Sequence, residues 1–591
     1  MAAFTDMIPK PRLPPAARPS RGEVVAVLLG AGAIGFLLGV VRYPTWPDAL
    51  EASQVLAGVV NYPRDNPVYI YSTRTWSVVN QVLALLLSAG FSEMTVALAV
   101  SGATGMLSLQ ALGLLVLALS RDVPLAILAP VFVKVTNAVS GGVTYPVALM
   151  GVEPTYGVVG MSYILLAAGS IGVGRLRWGA LLLGFAPAVH LTIGVLAITV
   201  TAIVMAIDRP RGMANAGRWF LAGAAAAAFC ALVHYLRVEV PAPDHPLTFF
   251  QHWDMHRQPF PLLSFDAMAT YFSAALPAFW LWRFGDDMPE HERVLLRIIV
   301  VAAALGGALS TSYWLVPPDV PNVIAALMPS RLLNLSIVSC MATIVGLSGR
   351  YRDSVAIQAN LAILIVALLI LSTWARVEVD ETARFVLPWA GMGVAGSILV
   401  VLAIFHREDD RVSTNRLRLL VWLRRAGAGA IAMALLGVIM LGWRDFSYTV
   451  PHLLPDRSND PFFATVAGRP GLLLTGSDVH LMQLETRRPV VLDGNALDSV
   501  IYAPEIAPEV DRTLQRVYNT DLLSLQRSHQ AGLRPDAAKL VWEKRTPAEW
   551  RRLAHDFAFT DIITYAGWKL QLPVVASNGD FVLFTIPRVT P

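Results

Sequence analysis

Residues 42–77 read RYPTWPDALEASQVLAGVVNYPRDNPVYIYSTRTWS, and the rest of the chain is organised around them. This polar stretch follows one apolar run of membrane-spanning length and precedes a long series of others. It carries Asp48, Glu51 and Asp65 among tryptophan, tyrosine and proline residues. Carboxylates at a membrane surface are costly and usually have a partner such as a cation, an arginine or a substrate. We therefore expect the chemistry to be centred here; the alternative is an amphipathic surface helix with solvated carboxylates.

The composition is that of a membrane protein. Of the 591 residues, 55% are hydrophobic and 15% are charged, whereas a soluble domain carries about 25% charged residues. Up to residue 443 the apolar residues fall in runs of about 18–25, the length of a helix that spans a bilayer. We predict a disordered cytoplasmic tail over residues 1–22, a transmembrane domain over 23–443 and an external α/β domain over 444–591.

The basic residues predict the topology. The N-terminal tail is rich in arginine, which places it in the cytoplasm. Alternating charge in the later loops predicts about 13 transmembrane helices, so that the C-terminal domain lies outside, in the periplasm of a bacterial inner membrane. Residues 178–207 have Pro187 and His190 in their middle, and we predict two short helices with a turn near 186–190. The basic residues are dispersed, and we expect no nucleic-acid partner.

Residues 444–591 show a mixed α/β pattern. Short β-branched runs predict strands in PGLLLTG, RPVVLDG, TDIITYA and FVLFTIP. Helical spacing appears in PEVDRTLQRVYNTDLLSLQ and in TPAEWRRLAHDF, which opens with Thr-Pro as cap and first helical position. The segment has no glycine-rich phosphate loop, HExxH motif or GxSxG motif, so none of these site classes is predicted.

Acidic residues of two predicted external loops can carry chemistry. Asp48 and Glu51 are three residues apart, and thus on one face of a helix that starts after Pro47. A carboxylate there can act as a catalytic general base or hold a divalent cation such as Mg²⁺ or Mn²⁺. Glu153, in MGVEPTYG, can complete an oxygen-ligand set with Asp48. Each of these acids can also be a solvated loop carboxylate.

Basic residues mark two candidate substrate-binding segments. The predicted external segment QHWDMHRQPF places His252, His256 and Arg257 beside aromatic residues. The histidines, four apart, can share a metal, shuttle a proton or donate to a phosphate, and an arginine suits a phosphate. Arg331, in MPSRLLNLS at the predicted external mouth of a span, is placed to bind a lipid phosphate or to anchor the helix at the interface.

This layout resembles the GT-C class of membrane glycosyltransferases, which includes oligosaccharyltransferases and protein mannosyltransferases. In that class an acid of the first external loop is the catalytic or metal-binding residue, and Asp48 in WPDALEA matches its place. Glu153 in GVEPT matches the second acidic motif, which follows the third span. The resemblance implies a polyprenyl-(di)phosphate-linked sugar donor, whose phosphate would suit Arg331 or Arg257. The chain lacks both a WWDYG-type motif in its tail and an Asp-Glu dipeptide in its first loop.

We therefore expect a membrane glycosyltransferase that moves a sugar from a polyprenyl-(di)phosphate carrier to an acceptor at the external face, among membrane lipids. The alternatives are a transporter or flippase of lipid-linked glycan and a non-catalytic protein of envelope assembly. Transporters often have inverted repeats and helices broken at the midplane. Only residues 178–207 have a broken pattern here, and the acids lie in predicted external loops, which favours the enzyme.

Overall fold

The structure is a computed structural model of the chain. It describes residues 18–42, 46–74, 76–135, 154–236, 288–315, 328–335, 460–476, 482–492, 503–522 and 535–587, with a few short stretches between them. The chain divides into two compact units. Unit 1 comprises Met1–Tyr43, Ser101–Ala228 and Pro259–Asp445; unit 2 comprises Pro44–Val100, Phe229–Gln258 and Phe446–Pro591.

Helices dominate the described residues. In chain order they are α1 (Arg21–Arg42), α2 (Pro47–Leu56), α3 (Pro67–Arg74), α4 (Val78–Ser88), α5 (Glu93–Ser120), α6 (Val123–Val135), α7 (Tyr156–Gly172), α8 (Leu176–Val189), α9 (Leu191–Asp208), α10 (Met213–Tyr235), α11 (Glu290–Leu315), α12 (Pro461–Ala467), α13 (Met482–Thr486), α14 (Ala507–Thr513), α15 (Pro535–Trp542) and α16 (Pro547–Phe557). Short 3-10 turns cover Pro329–Leu332 and Pro504–Ile506, and a π-helical turn covers Leu514–Tyr518.

Five of the described helices are long and apolar enough to cross a membrane, namely α1, α5, α9, α10 and α11. Their length and composition are those of an integral membrane protein. The predicted total of about 13 spans and the predicted boundary after residue 443 extend beyond the described residues, so both stay predictions.

The predicted break within residues 178–207 is confirmed. Helix α8 ends at Val189 and α9 begins at Leu191, with His190 in an extended conformation between them (φ −153°, ψ 108°). Pro187 lies in the last turn of α8, where its ring and missing N–H oppose continuation of the helix. Nδ1 of His190 lies 3.5 Å from the backbone N of Ile193, so the ring lies beside the first turn of α9.

Helices α1 and α5 approach closely through small residues in unit 1. A Cβ built on Gly35 would lie 2.2 Å from the carbonyl oxygen of Gly105, and one on Gly39 would lie 2.1 Å from that of Ser101. These residues are spaced four apart on each helix, a pattern typical of membrane helices whose backbones touch. The absence of a side chain on Gly35, Gly39 and Gly105 therefore sets the distance between α1 and α5.

A four-stranded sheet forms the centre of the C-terminal part of unit 2. Its strands are β1 (Leu472–Thr475), β2 (Phe559–Tyr565), β3 (Val574–Ser577) and β4 (Phe581–Thr585), in the order β1-β2-β4-β3. Strand β1 pairs parallel with β2, and the other two pairs are antiparallel. The predicted strands PGLLLTG, TDIITYA and FVLFTIP are confirmed. The described part of RPVVLDG contributes an isolated bridge between Leu473 and Val490, and β3 was not predicted.

The helix predicted to open with Thr-Pro is also confirmed. The hydroxyl of Thr546 accepts a hydrogen bond from the backbone N of Glu549, and the Glu549 side chain accepts one from the backbone N of Thr546. This reciprocal capping box satisfies two N–H groups at the start of α16.

The first predicted external loop belongs to the same hydrophobic core as this sheet. Val55, Val60, Tyr62 and Val68 are buried in one cluster with residues of β1 and β2. As the sequence predicts, α2 starts at Pro47. The loop is thus not a solvated connection, because its apolar side chains complete the core of unit 2.

The sheet of unit 2 contains a buried carboxylate that pairs with two arginines. Asp561 on β2 accepts hydrogen bonds from Arg469 (2.7 Å) and Arg488 (2.5 Å) and is 1% exposed. Burial raises the pKa of Asp561, but the hydrogen bonds from the two guanidinium groups outweigh it and leave the pKa below its usual value. The ionised carboxylate therefore stabilises the folded unit.

Gly35→Ala should loosen the crossing of α1 and α5. The new Cβ would overlap the carbonyl oxygen of Gly105, which cannot move without its helix, and overpacking of this kind costs about 1–3 kcal/mol. Gly217→Ala is the matched control, because a Cβ on Gly217 in α10 would meet nothing within 4 Å. Thermal unfolding in detergent should show a lower midpoint for Gly35→Ala and no loss for Gly217→Ala. Equal midpoints would contradict the close packing.

Asp561→Asn should destabilise unit 2 by about 3–5 kcal/mol, since it leaves the buried guanidinium of Arg488 and the partly exposed one of Arg469 without their carboxylate. Because the folded-state pKa of Asp561 is lowered, its stabilisation is present above the unfolded pKa of about 3.9 and is lost as the pH falls through the folded value. In urea unfolding, the difference in free energy of unfolding between the parent and Asp561→Asn should thus be constant near neutral pH and shrink below about pH 4. Asp556→Asn, at a surface ion pair, should cost much less.

Candidate functional site

Helix α2 carries the two acids predicted to be catalytic. Pro47 is its first residue and Asp48 its second, so Asp48 lies in the first turn, at the positive end of the helix dipole. The backbone of Asp48 is described, and the position of its carboxylate lies outside what the structure describes. Glu51 follows one turn later with a side chain that is buried, only 6% exposed.

A side chain from α13 holds the middle of α2. Nε2 of Gln483 donates to the backbone oxygen of Glu51 at 2.9 Å and to Oε1 of Gln54 at 3.3 Å. Oε1 of Gln483 accepts from the hydroxyl of Tyr62 at 2.6 Å. Gln483 is 1% exposed and Gln54 is fully buried. One carboxamide therefore uses both its donor and its acceptor to fix α2 and the chain that follows it.

A second layer of hydrogen bonds holds Gln54. Its Nε2 donates to Oε1 of Glu93 at 3.1 Å and to the backbone oxygen of Leu484 at 3.3 Å. Glu93, at the start of α5, is paired with both guanidinium nitrogens of Arg487, at 2.8 and 2.9 Å. A bidentate pair of this kind fixes orientation as well as distance. Gln54, Glu93, Gln483 and Arg487 are termed the α2 clamp below.

Arg331 lies buried in unit 1. The 3-10 turn Pro329–Leu332 carries it, and the residue is 4% exposed. Its Nη1 lies 3.1 Å from Nε2 of His190, and because a guanidinium only donates, the imidazole nitrogen is the acceptor. Its Nε is buried without a hydrogen-bond partner among the described residues.

The surroundings of Arg331 keep it in place. Met328, just before the turn, has a left-handed backbone (φ 46°) that turns the chain. A Cβ on Gly306 of α11 would lie 2.9 Å from Cβ of Leu332, so the turn packs directly on α11. His190 is held in turn by its position in the α8–α9 break. A buried cation with an unused donor at such a fixed position is suited to binding an anion.

Several predicted site residues lie outside the described residues, namely Glu153, His252, His256 and Arg257. Within the described part of the chain, no group of three or more His, Cys, Asp or Glu side chains is arranged to hold a metal ion. The metal site of Asp48 and Glu153 therefore stays a prediction. Asp48 and Glu51 belong to unit 2, and Arg331 belongs to unit 1.

Sequence reasoning missed the α2 clamp. The acid at position 93 stands at the start of an apolar span, and adjacent arginines stand at positions 487 and 488, which are weak signals of ion pairing. Nothing in the sequence indicated that Gln483 would contact residues 51 and 54. His190 was predicted at the turn, and its hydrogen bond to Arg331 was not.

Two solved structures resemble the chain along nearly its whole length, both of ArnT from Cupriavidus metallidurans. ArnT bound to undecaprenyl phosphate aligns with a TM-score of 0.42 and 15% sequence identity over 96% of this chain and 99% of the ArnT chain. ArnT in the apo state aligns with a TM-score of 0.43 and 15% sequence identity over 96% of this chain and 98% of the ArnT chain. No protein-family model matches the sequence, and a search of curated proteins found no match.

Proposed function

We propose that the protein is a membrane glycosyltransferase that takes a sugar from a polyprenyl-phosphate or polyprenyl-diphosphate carrier. The observation that carries this proposal is Arg331, a buried guanidinium with an unused Nε and a histidine as its described partner. Desolvated cations are normally paired with anions. In a membrane protein, an arginine of this kind marks a substrate path or an anionic ligand.

The phosphate of the lipid carrier is the anion that fits. A guanidinium offers several N–H groups in one plane and can bind two phosphate oxygens at once. Nη1 of Arg331 is engaged by His190, which orients the plane, and Nε is left to donate to a ligand. The aliphatic part of the carrier would remain in the bilayer, where no protein polar group is required.

Asp48 would act on the acceptor. As a general base it takes the proton of the acceptor hydroxyl, whose oxygen then forms the new bond to the anomeric carbon. The bond from that carbon to the carrier phosphate breaks, and the carrier leaves as polyprenyl phosphate or diphosphate. Glu51, one turn along α2, would be the second carboxylate of the site. If a divalent cation is bound, Asp48 and Glu153 would hold it, and it would stabilise the leaving phosphate.

The reaction would take place at the periplasmic face of a bacterial inner membrane, with the N-terminus in the cytoplasm. This orientation rests on the distribution of basic residues between the apolar runs. Membrane lipids surround the protein and deliver the donor.

One observation favours a second function, a transporter of lipid-linked glycan. The α8–α9 break places a broken helix beside the buried Arg331, an arrangement seen at transporter binding sites. The two functions separate in liposomes: a transferase forms a new glycoside on one side, whereas a transporter moves the intact donor across the bilayer.

Arg331→Lys should weaken binding of undecaprenyl phosphate. Lysine keeps the charge and loses the planar donor set, and a hydrogen bond to a charged group is worth about 1.5–3 kcal/mol, or roughly 10–100-fold in affinity. Arg297→Lys is the matched control, because Arg297 is paired with Asp208. Binding is measured on the purified protein in detergent. Parent affinity in Arg331→Lys would leave Arg331 as a structural residue.

Asp48→Asn should lower sugar transfer by at least roughly 10²-fold, because it removes the base or cation ligand while keeping the shape of the side chain. Affinity for the carrier should change little. Asp65→Asn is the control, an exposed carboxylate of the same loop, and should transfer at the parent rate. Chelation separates the two roles: loss of parent activity with a chelator indicates a metal, and no loss indicates a base. Parent activity in Asp48→Asn would refute its catalytic role.

A further inference from the structure

We infer that Gln483 is a positioning residue for Asp48, so that the C-terminal part of unit 2 contributes to the reaction without touching substrate. This inference rests on the proposed function, because it gives Gln483 a role through Asp48. It goes beyond that function because it assigns a catalytic contribution to α13, a segment with no acid, base or nucleophile of the site.

The contacts of Gln483 require a carboxamide. Its Nε2 donates to the carbonyl of Glu51 and to Gln54, and its Oε1 accepts from Tyr62. A glutamate would keep the acceptor and lose both donors, and a leucine would lose all three bonds. Because the site is buried, water cannot replace the lost partners.

The bond to Glu51 acts on Asp48 through the helix. Glu51 lies three residues after Asp48, and each helical residue rises about 1.5 Å, so the point of attachment is about one turn away. Helix backbone between these residues is stiff, and a shift at the carbonyl of Glu51 moves the first turn with it. The Glu93–Arg487 pair then holds Gln54, which lies three residues after Glu51 on α2.

A general base must lie within hydrogen-bond reach of the proton it removes, and a misplacement of about 1 Å can cost about 10²-fold in rate. Binding of the carrier tolerates such a shift if Arg331 holds the phosphate. A displaced α2 should therefore lower kcat and leave carrier affinity unchanged, which is the signature that separates positioning from binding.

The test uses Gln483→Glu in the full-length protein, with Asp561→Asn as the matched control. Asp561→Asn destabilises the sheet of unit 2 and itself removes no hydrogen bond of the α2 clamp, because Asp561 contacts Arg469 and Arg488. Three quantities are measured: hydrogen exchange of residues 47–56 by mass spectrometry, binding of undecaprenyl phosphate, and release of undecaprenyl phosphate from a panel of undecaprenyl-phosphate-linked sugars.

For Gln483→Glu we expect exchange in residues 47–56 to rise at least about 10-fold and kcat to fall about 10–100-fold. Carrier affinity and KM should stay within about two-fold of the parent, since the change acts on kcat alone. Asp561→Asn, assayed under conditions in which it is folded, should keep the parent kcat and the parent rate of hydrogen exchange in residues 47–56.

If hydrogen exchange of residues 47–56 is unchanged in Gln483→Glu, the inference is wrong even where the proposed function is correct, because α2 would then be held without Gln483. Faster exchange with parent kcat also overturns it, provided that Asp48→Asn is inactive. Equal loss of kcat in Gln483→Glu and Asp561→Asn would assign the effect to general destabilisation and overturn it as well. Parent activity in Asp48→Asn instead overturns the proposed function itself.

Discussion

The hydrogen bond from Gln483 to the backbone of Glu51 joins two parts of the chain that are 432 residues apart in sequence. Around it, Gln54 and Glu93 are buried polar groups that would be costly without partners. Their partners, Leu484 and Arg487, come from the same distant segment. The first predicted external loop therefore cannot satisfy its own polar groups. In the folded structure, residues 482–490 satisfy them.

The α2 clamp and Arg331 differ in how their buried polar groups are paired. Each side chain of the α2 clamp has a described partner, so the clamp fixes structure and has no need of a ligand. Arg331 is as deeply buried, yet its Nε has no partner among the described residues. Native proteins rarely leave such a group unpaired, and the exceptions concentrate where something else binds. Arg488, which pairs with Asp561, also has a buried nitrogen without a partner among the described residues, so the unpaired nitrogen alone does not mark a site. Arg331 differs because its described side-chain partner is an imidazole and not a carboxylate.

Local signals in the sequence predicted the elements that local chemistry controls. Pro47 marks the start of α2, Pro187 the end of α8, and Thr546 with Pro547 the start of α16. Each acts within a few residues through a missing N–H or a side-chain cap. The α2 clamp could not be predicted because glutamine at position 483 has no local preference that reveals a partner at position 51. Strand β3 was missed since its residues are half exposed and lack a clear apolar alternation.

Arg331 can remain buried only if the helices and the turn around it are rigid. A flexible arginine in a membrane protein extends along the helix until its head group reaches water. Here the 3-10 turn packs on Gly306 with no space for a side chain, and His190 is fixed where α8 gives way to α9. The same use of glycine brings the backbones of α8 and α10 together, where a Cβ on Gly184 would lie 2.2 Å from the carbonyl oxygen of Phe220. Helices in a bilayer gain little from apolar burial against one another, so close backbone contact supplies the stiffness. Close contacts at Gly184 and Gly306 are thus part of the packing of α8 and α11, the helices next to His190 and Arg331.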